Sequence, residues 1–319
     1  MASASRAQRR VTVFGGSGFL GRYIVERLAD RGDVLTVAVR DPEAAKFLKP
    51  LGDVSQVTPV RCPIQDEAGV AAAVADAQAV INLVGVLYER GRQTFSQVHV
   101  GGAARIARAA KAAGAARLVH VSAIGADPDS PSAYGRSKAA GERAVGAAFP
   151  EATILRPSVV FGPEDGFFNL FAGLARLLPA LPLYGGGRTR FQPVHVGDVS
   201  AAVAAVLDDP ATAGKTYELG GPRVYSFAAL VRYILATIGR RRLLVPLPFA
   251  IGHVQAAILG LLPQPPVTND QLRQLTVDSV VADGALGLAD LGIEPTALEV
   301  VVPSYLARYR PAGGRRRTV

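Results

Sequence analysis

The stretch Val11-Thr12-Val13-Phe14-Gly15-Gly16-Ser17-Gly18-Phe19-Leu20-Gly21-Arg22 decides how the rest of the chain is read. Val11 to Phe14 is an apolar run of the kind that forms a buried parallel strand. It breaks at glycines 15, 16, 18 and 21, and apolar residues then resume at helical spacing at Phe19, Leu20, Ile24, Val25 and Leu28. In a strand–turn–helix of this form, Gly15 permits the tight turn and Gly18 lets the backbone approach a pyrophosphate. Gly21 lets the helix pack close to the strand. The free N–H groups at the helix start and the helix dipole suit phosphate binding, so the pattern predicts a dinucleotide site. Ser17, Phe19 and Leu20 lie in the same turn and belong to that candidate site.

Working outward, apolar strands alternate with helical stretches. Strands are expected at Val34–Val39, Val57–Arg61, 79–85, 117–122 and Thr153–Pro157, and helices over Glu67–Val74, 95–113 and from Ser132 to Phe149. This alternation predicts an α/β fold, a doubly wound parallel sheet with helices on both faces. Arg40-Asp41 follows the second strand, where an acidic residue suits a ribose 2′-hydroxyl and a basic one a 2′-phosphate. Arg40 favours NADP(H), and Asp41 leaves NAD(H) open. The end of the fourth strand, Leu83-Val84-Gly85, lies where the cofactor ribose should pass.

Tyr134 and Lys138 stand four apart, hence on one face of a helix, and Ser122 ends the fifth strand. Parallel α/β sheets bind ligands at the carboxyl ends of their strands, so these three are the candidate catalytic residues. The tyrosine would exchange a proton with a substrate oxygen, and the serine would hold that oxygen. An unperturbed phenol, with a pKa of about 10, is too weak an acid for this near neutrality. The Lys138 cation is expected to lower it. Of 35 basic residues only five are lysines, so a lysine at this position is selective.

The Gly15–Gly18–Gly21 spacing, Ser122, Tyr134-x-x-x-Lys138, 155–163 (Leu-Arg-Pro-Ser-Val-Val-Phe-Gly-Pro) and 194–199 (Val-His-Val-Gly-Asp-Val) together resemble the extended branch of the short-chain dehydrogenases/reductases. The resemblance implies a Rossmann-type sheet with a smaller C-terminal substrate subdomain. It adds Ile64, Pro157 and Val160 to the cofactor-binding set. A narrower likeness, in 18–23, 148–152, 161–165 with Asn169, and 290–293, is to the NADPH-binding accessory subunits of respiratory complex I and their bacterial relatives. It implies a tightly held nucleotide, a role in assembly and stability beside the quinone site, and complex I subunits as partners. It also implies a location in the cytoplasm, peripheral on the cytoplasmic face of the inner membrane, or on the matrix side in a eukaryote. Pro63 stands where the family commonly has an acidic residue for adenine. His99 falls near the family's relay asparagine, either replacing it or merely packed.

In the second half, Phe167 to Leu177 reads as an apolar helix, and Gly185–Arg190 as a basic loop that closes over a ligand or a simple hairpin turn. Asp198 is expected to cap a helix over 199–207, and Ser226 one running to Ile238. Leu243 to Pro263 is strongly apolar. Pro246, Pro248 and His253 leave about 14 residues for one helix, short of the about 20 a membrane span needs. A core or interfacial helix is expected, and Arg240-Arg241-Arg242 before it suits an anionic membrane surface or a membrane-complex partner.

Composition sets the remaining bounds. The 319 residues are 49% hydrophobic, with one cysteine and a formal charge of +9. A lone Cys62 excludes an intrachain disulfide and a cysteine-cluster metal site, and no metal is expected. The charge favours anionic partners, but no nucleic-acid-binding pattern is present and none is expected to bind. Residues 1–10 read as a disordered lead-in without a secretory signal. Residues 11–157 form the nucleotide-binding domain, with 191–207 and 215–221 returning to it, 158–310 mainly the substrate or partner subdomain, and 311–319 a basic disordered tail. Two functions follow: a complex I-type accessory protein that holds its nucleotide, or a free-standing NAD(P)-dependent oxidoreductase acting on an apolar carbonyl or alcohol, quinone-, isoprenoid- or sterol-like.

Overall fold

Val11, Val13 and Phe14 are buried, and their strand has neighbours on both edges. β1 (Arg10–Phe14) pairs in parallel with β2 (Val34–Val39) on one side and β4 (Ala79–Asn82) on the other. A strand covered on both faces needs no polar alternation, which is why the run is continuously apolar. The computed structural model describes residues 8–91, 93–260 and 267–311. Most of the expected lead-in, the basic tail after Pro311 and the end of the 243–263 run lie outside the described residues. Arg9, assigned from sequence to the lead-in, is fixed: its guanidinium pairs with Asp33 at 2.9 and 3.1 Å and with Asp208 at 3.1 Å.

With β3 (Val57–Arg61), β5 (Arg117–Val121) and β6 (Thr153–Pro157), the sheet runs β3-β2-β1-β4-β5-β6, and the strand Thr216–Leu219 adds itself beside β6. This is the order of a doubly wound dinucleotide-binding sheet, whose direction of winding reverses between β1 and β4. The helices α1 (Phe19–Asp30), α2 (Glu67–Val74), α3 (Ala103–Ala112) and α4 (Ala133–Ala148) alternate with the strands. Asp66 caps α2 by accepting the Gly69 N–H at 3.0 Å. One core packs Phe14, Val74, Val80, Ile106, Leu118, Val145 and Phe149.

The chain divides into two units. The first holds the described residues up to Ser122, then Ser137–Arg156 and Val199–Tyr217. The second holds Ala123–Arg136, Pro157–Asp198 and the chain from Glu218 onward. In the first, the returning segment is gripped by Arg117, whose guanidinium donates to the carbonyls of Val206 and Asp209 and to Thr212 Oγ1.

The second unit has its own core of Phe161, Phe168, Phe227, Val231, Ile234, Leu298 and Val302. Ser226 caps the helix Phe227–Thr237, accepting the Ala229 N–H at 3.1 Å. Asp198 does not act as the expected cap, because its helix starts earlier, at Val196. Its carboxylate instead accepts from Thr296 N at 2.7 Å and Thr296 Oγ1 at 2.8 Å. The Gly185–Arg190 segment is a pinned turn rather than an open loop. All three of its glycines have positive φ, Gly185 lies against the Phe249 ring, Gly187 lies against Ala228, and Arg190 pairs with Asp278 at 2.7 Å. The apolar 243–263 run splits into a strand, Leu243–Leu247, parallel to Ala180–Tyr184, and a helix, Phe249–Leu259. Among the described residues no helix is long and apolar enough to cross a membrane.

Candidate nucleotide-binding site

The turn after β1 assigns each glycine a separate task. Gly15 has φ +79°, a conformation strained for any other residue, and its N–H donates to the Ala38 carbonyl at 3.2 Å. A Cβ on Gly21 would stand 2.5 Å from the Gly15 carbonyl oxygen and the Gly16 Cα, so only glycine lets α1 sit this close. A Cβ on Gly18 would meet only the Gly15 oxygen, at 3.3 Å, leaving its face open. No side chain caps the start of α1. Uncapped N–H groups at a helix start, next to an open glycine face, fit a pyrophosphate. Ser17, Phe19 and Leu20 are half-buried around this turn.

At the end of β2, Arg40 is exposed, whereas the Asp41 carboxylate already accepts the N–H groups of Glu43 at 3.0 Å and Ala44 at 3.2 Å. Ile64 is a buried core residue whose carbonyl accepts from Arg105 at 2.7 Å. β4 ends at Asn82, shorter than expected from sequence. Beyond it the backbone is held group by group: Leu83 N–H on the Phe14 carbonyl, Val84 N–H on Asn82 Oδ1, and Val86 N–H on His99 Nε2. Gly85 lies against the His99 ring. Asn82 Nδ2 donates to His120 Nδ1 at 3.1 Å. Pro157 closes β6, its carbonyl accepting the Ile124 N–H, and Val160 pairs with Val194 within the second unit.

The expected 95–113 helix is interrupted. Ser96–Gly102 winds as π-helix before α3 begins, a local widening that often accompanies functional sites. It places the His99 carbonyl where a Cβ on Gly141 of α4 would overlap it. Because His99 Nε2 accepts a backbone N–H, Nδ1 carries the ring proton and donates to Ser137 Oγ at 2.8 Å. Burial, then the nearby Lys138 charge, lower the His99 pKa to about 3, so the ring is neutral. His99 therefore braces the β4 exit against α4, a role that its residue type alone did not reveal.

Lys138 is 4% exposed, and its Nζ donates to the Val121 carbonyl at 3.0 Å. Burial lowers its pKa to about 8, partly opposed by Glu142. Ser122 is buried at the next position, and its hydroxyl has no hydrogen-bond partner among the described residues. A buried hydroxyl left open in this way fits an absent ligand group. Tyr134, one turn before Lys138 on α4, is half-buried. Burial raises its phenol to about 12, opposite to the lowering expected from the lysine cation. The reason is that desolvation dominates at Tyr134. Neutral pH thus finds a protonated phenol and a charged ammonium.

Asp270 was missed from sequence. Its carboxylate accepts the Ala133 N–H at 2.6 Å and the Tyr134 N–H at 2.9 Å, fixing the first turn of α4. The one sequence signal nearby is the Thr268–Gln271 capping box that starts its short helix. Among the described residues no group of three or more His, Cys, Asp or Glu is placed to hold a metal ion.

Comparison with known proteins agrees with this fold. The model of the NAD dependent epimerase/dehydratase family matches residues 11–220. The mitochondrial NADH dehydrogenase (ubiquinone) 1 alpha subcomplex subunit 9 of Arabidopsis thaliana is 41% identical over 314 residues, covering 95% of this chain and 78% of the plant protein. The Mus musculus protein of the same name is 38% identical over 302 residues, 94% of this chain and 80% of its own. In fold, the NADPH-dependent quinone oxidoreductase of Escherichia coli, solved with NADPH, matches at a TM-score of 0.75 and 21% identity, covering 93% of this chain and 99% of that one. The chain belongs to the NAD dependent epimerase/dehydratase family, and its amino-terminal sheet is that family's NAD(P)-binding domain.

Proposed function

We propose that the chain is an accessory subunit of a complex I-type NADH:ubiquinone oxidoreductase, holding NADP(H) as a fixed part of its structure. The observation that carries the nucleotide reading is the uncapped start of α1 behind the open face of Gly18. Similarity to a complex I subunit over 95% of the chain supports the role. The preference for NADP(H) rests on Arg40: Asp41 is occupied by its own turn, which leaves the exposed guanidinium to meet a 2′-phosphate. The diphosphate rests on the turn Gly15 to Gly21, the ribose passes Leu83 to Gly85, and the nicotinamide end meets Tyr134, Lys138 and Ser122.

When bound, the nucleotide supplies a hydride donor or acceptor, and the chain's residues decide whether that capacity is used. A phenol near 12 is a hydrogen-bond donor at neutral pH and a poor base, which suits holding over turnover. Arg241 is exposed, and so is one face of the helix Phe249–Leu259, with Ile251 at 53%, Val254 at 63% and Ile258 at 64%. This surface fits a peripheral site on the matrix or cytoplasmic face of a membrane complex.

A second reading, a free-standing NAD(P)-dependent oxidoreductase on an apolar carbonyl, is favoured by one observation. The buried Ser122 hydroxyl has no hydrogen-bond partner among the described residues and is ready to hold a substrate oxygen. Native mass spectrometry of the purified protein, for bound nucleotide and co-purifying subunits, tests the first reading, and absence of any nucleotide defeats both. If Tyr134→Phe abolishes a reductase activity together with the cellular phenotype, the enzyme reading stands. If Gly18→Val ruins assembly of the complex and Tyr134→Phe does not, the accessory reading stands.

A further inference from the structure

The first turn of α4 is secured from far along the chain. Ala133 and Tyr134 present N–H groups that no residue of the helix itself can accept. Both go to a single carboxylate, Asp270, at 2.6 and 2.9 Å. An ionised carboxylate is the strongest acceptor available there, and its charge faces the positive end of the helix dipole. Asp270 is itself preset. Its helix, Asn269–Gln274, is closed by a capping box in which Thr268 Oγ1 accepts the Gln271 N–H and Gln271 Oε1 accepts the Thr268 N–H. Leu272 is fully buried with Tyr184 and Ala256. The preceding residue, Asn269, accepts from His253 Nδ1 of the helix Phe249–Leu259 at 2.9 Å. Adjacent residues of one short helix thus tie the exposed apolar helix on one side and the Tyr134 backbone on the other.

We propose that Asp270 is a positioning residue for the nicotinamide end of the bound nucleotide, acting through the backbone of Tyr134 without touching the ligand. The proposal rests on the placement of Tyr134 in the function proposed above. A clamp on two consecutive amides fixes both the height and the rotation of the first turn, so losing it shifts Tyr134 while leaving the glycine turn and Arg40 in place.

Two ligands separate these effects. NADPH reaches both ends of the site, whereas 2′,5′-ADP carries only the adenosine half and depends on the glycine turn and Arg40. Binding of each is measured on the full chain, as wild type, Asp270→Asn and Asp270→Ala. The expected result is NADPH binding weakened about tenfold by Asp270→Ala, the scale of a lost helix cap. Asp270→Asn should weaken it less, because one amide oxygen still accepts, and 2′,5′-ADP should bind all three proteins equally. If Asp270→Ala fails to fold, the same split in Asp270→Asn decides. Equal weakening of both ligands, or no change in either, overturns the proposal while leaving the function intact. A wild-type chain that binds neither ligand overturns the function and this proposal with it.

Discussion

Lys138 donates its buried ammonium to the carbonyl of Val121, the last residue of β5, at 3.0 Å. Burial of this ammonium gives stability a particular pH dependence. Burial lowers Lys138 from 10.5 to about 8. Between those values the unfolded chain binds a proton that the folded chain has released, so folding becomes more favourable as pH rises through that window. Burial of Tyr134, raised from 10.0 to about 12, acts oppositely above pH 10, where only the folded chain keeps the phenol proton. The unfolding free energy of the wild type minus that of Lys138→Met should rise by on the order of 2 kcal/mol from pH 8 to 10. A flat difference in urea titrations refutes this.

Gly18 and Gly21 should part company. Gly21→Val drives a side chain into the Gly15 and Gly16 backbone and should cost about 3 kcal/mol of stability as well as nucleotide binding. Gly18→Val brings its Cβ against the Gly15 carbonyl oxygen alone, at 3.3 Å, and occupies the face left for phosphate. It should melt within a few degrees of the wild type while losing NADPH. Thermal melts with and without NADPH check the pair.

Arg40→Ala should weaken NADPH by roughly tenfold to a hundredfold, the scale of a lost charge-assisted hydrogen bond, and leave NADH nearly unchanged. Competition between the two nucleotides on the variant reads this directly. Equal loss for both would assign the 2′-phosphate to another residue.

Asp198 links His195 and Thr296 within the second unit. Burial pushes its carboxyl up, but hydrogen bonds from His195 and Thr296 outweigh this and leave it below the usual value. Its contribution is therefore complete above about pH 4 and lost as pH falls through the depressed pKa. Asp198→Asn should cost about 1–3 kcal/mol at pH 7 and progressively less on acidification. A cost that stays constant down to pH 3 would disprove the assignment.

Ile251→Ser with Ile258→Ser should abolish co-sedimentation with vesicles containing anionic lipid while leaving the melting temperature within a few degrees. Both side chains are more than half exposed, so little packing is lost. Unchanged sedimentation assigns the face to protein alone.

The central strands were legible because burial on both faces writes itself as an apolar run. β2, β3, β6 and the helix Glu67–Val74 fall where the sequence put them. The glycine turn was legible because each glycine answers to a different steric demand. The π-helical turns around His99 were not, since they leave the local pattern helical and the residue they approach, Gly141, is forty-two positions away. Asp198 was misread and Asp270 missed for a related reason. Sequence marks them as acidic residues near helix starts, but their carboxylates serve Thr296 and α4, partners that only the fold brings near. The strand Leu243–Leu247 was hidden by Pro246, which a two-stranded pairing tolerates more readily than a central strand would.

The edge strand beside β6, Thr216–Leu219, is synthesised after a long stretch, Pro157–Asp198, that belongs to the second unit. On the ribosome, β6 therefore emerges with a bare edge and keeps it until some sixty more residues have been made. Such an edge is a template for a neighbouring chain. Nascent copies on one messenger are the nearest source of a stray strand, so slow translation between Pro157 and Thr216 should raise the yield of tangled product, and moving Thr216–Leu219 ahead of the second unit by circular permutation should lower it.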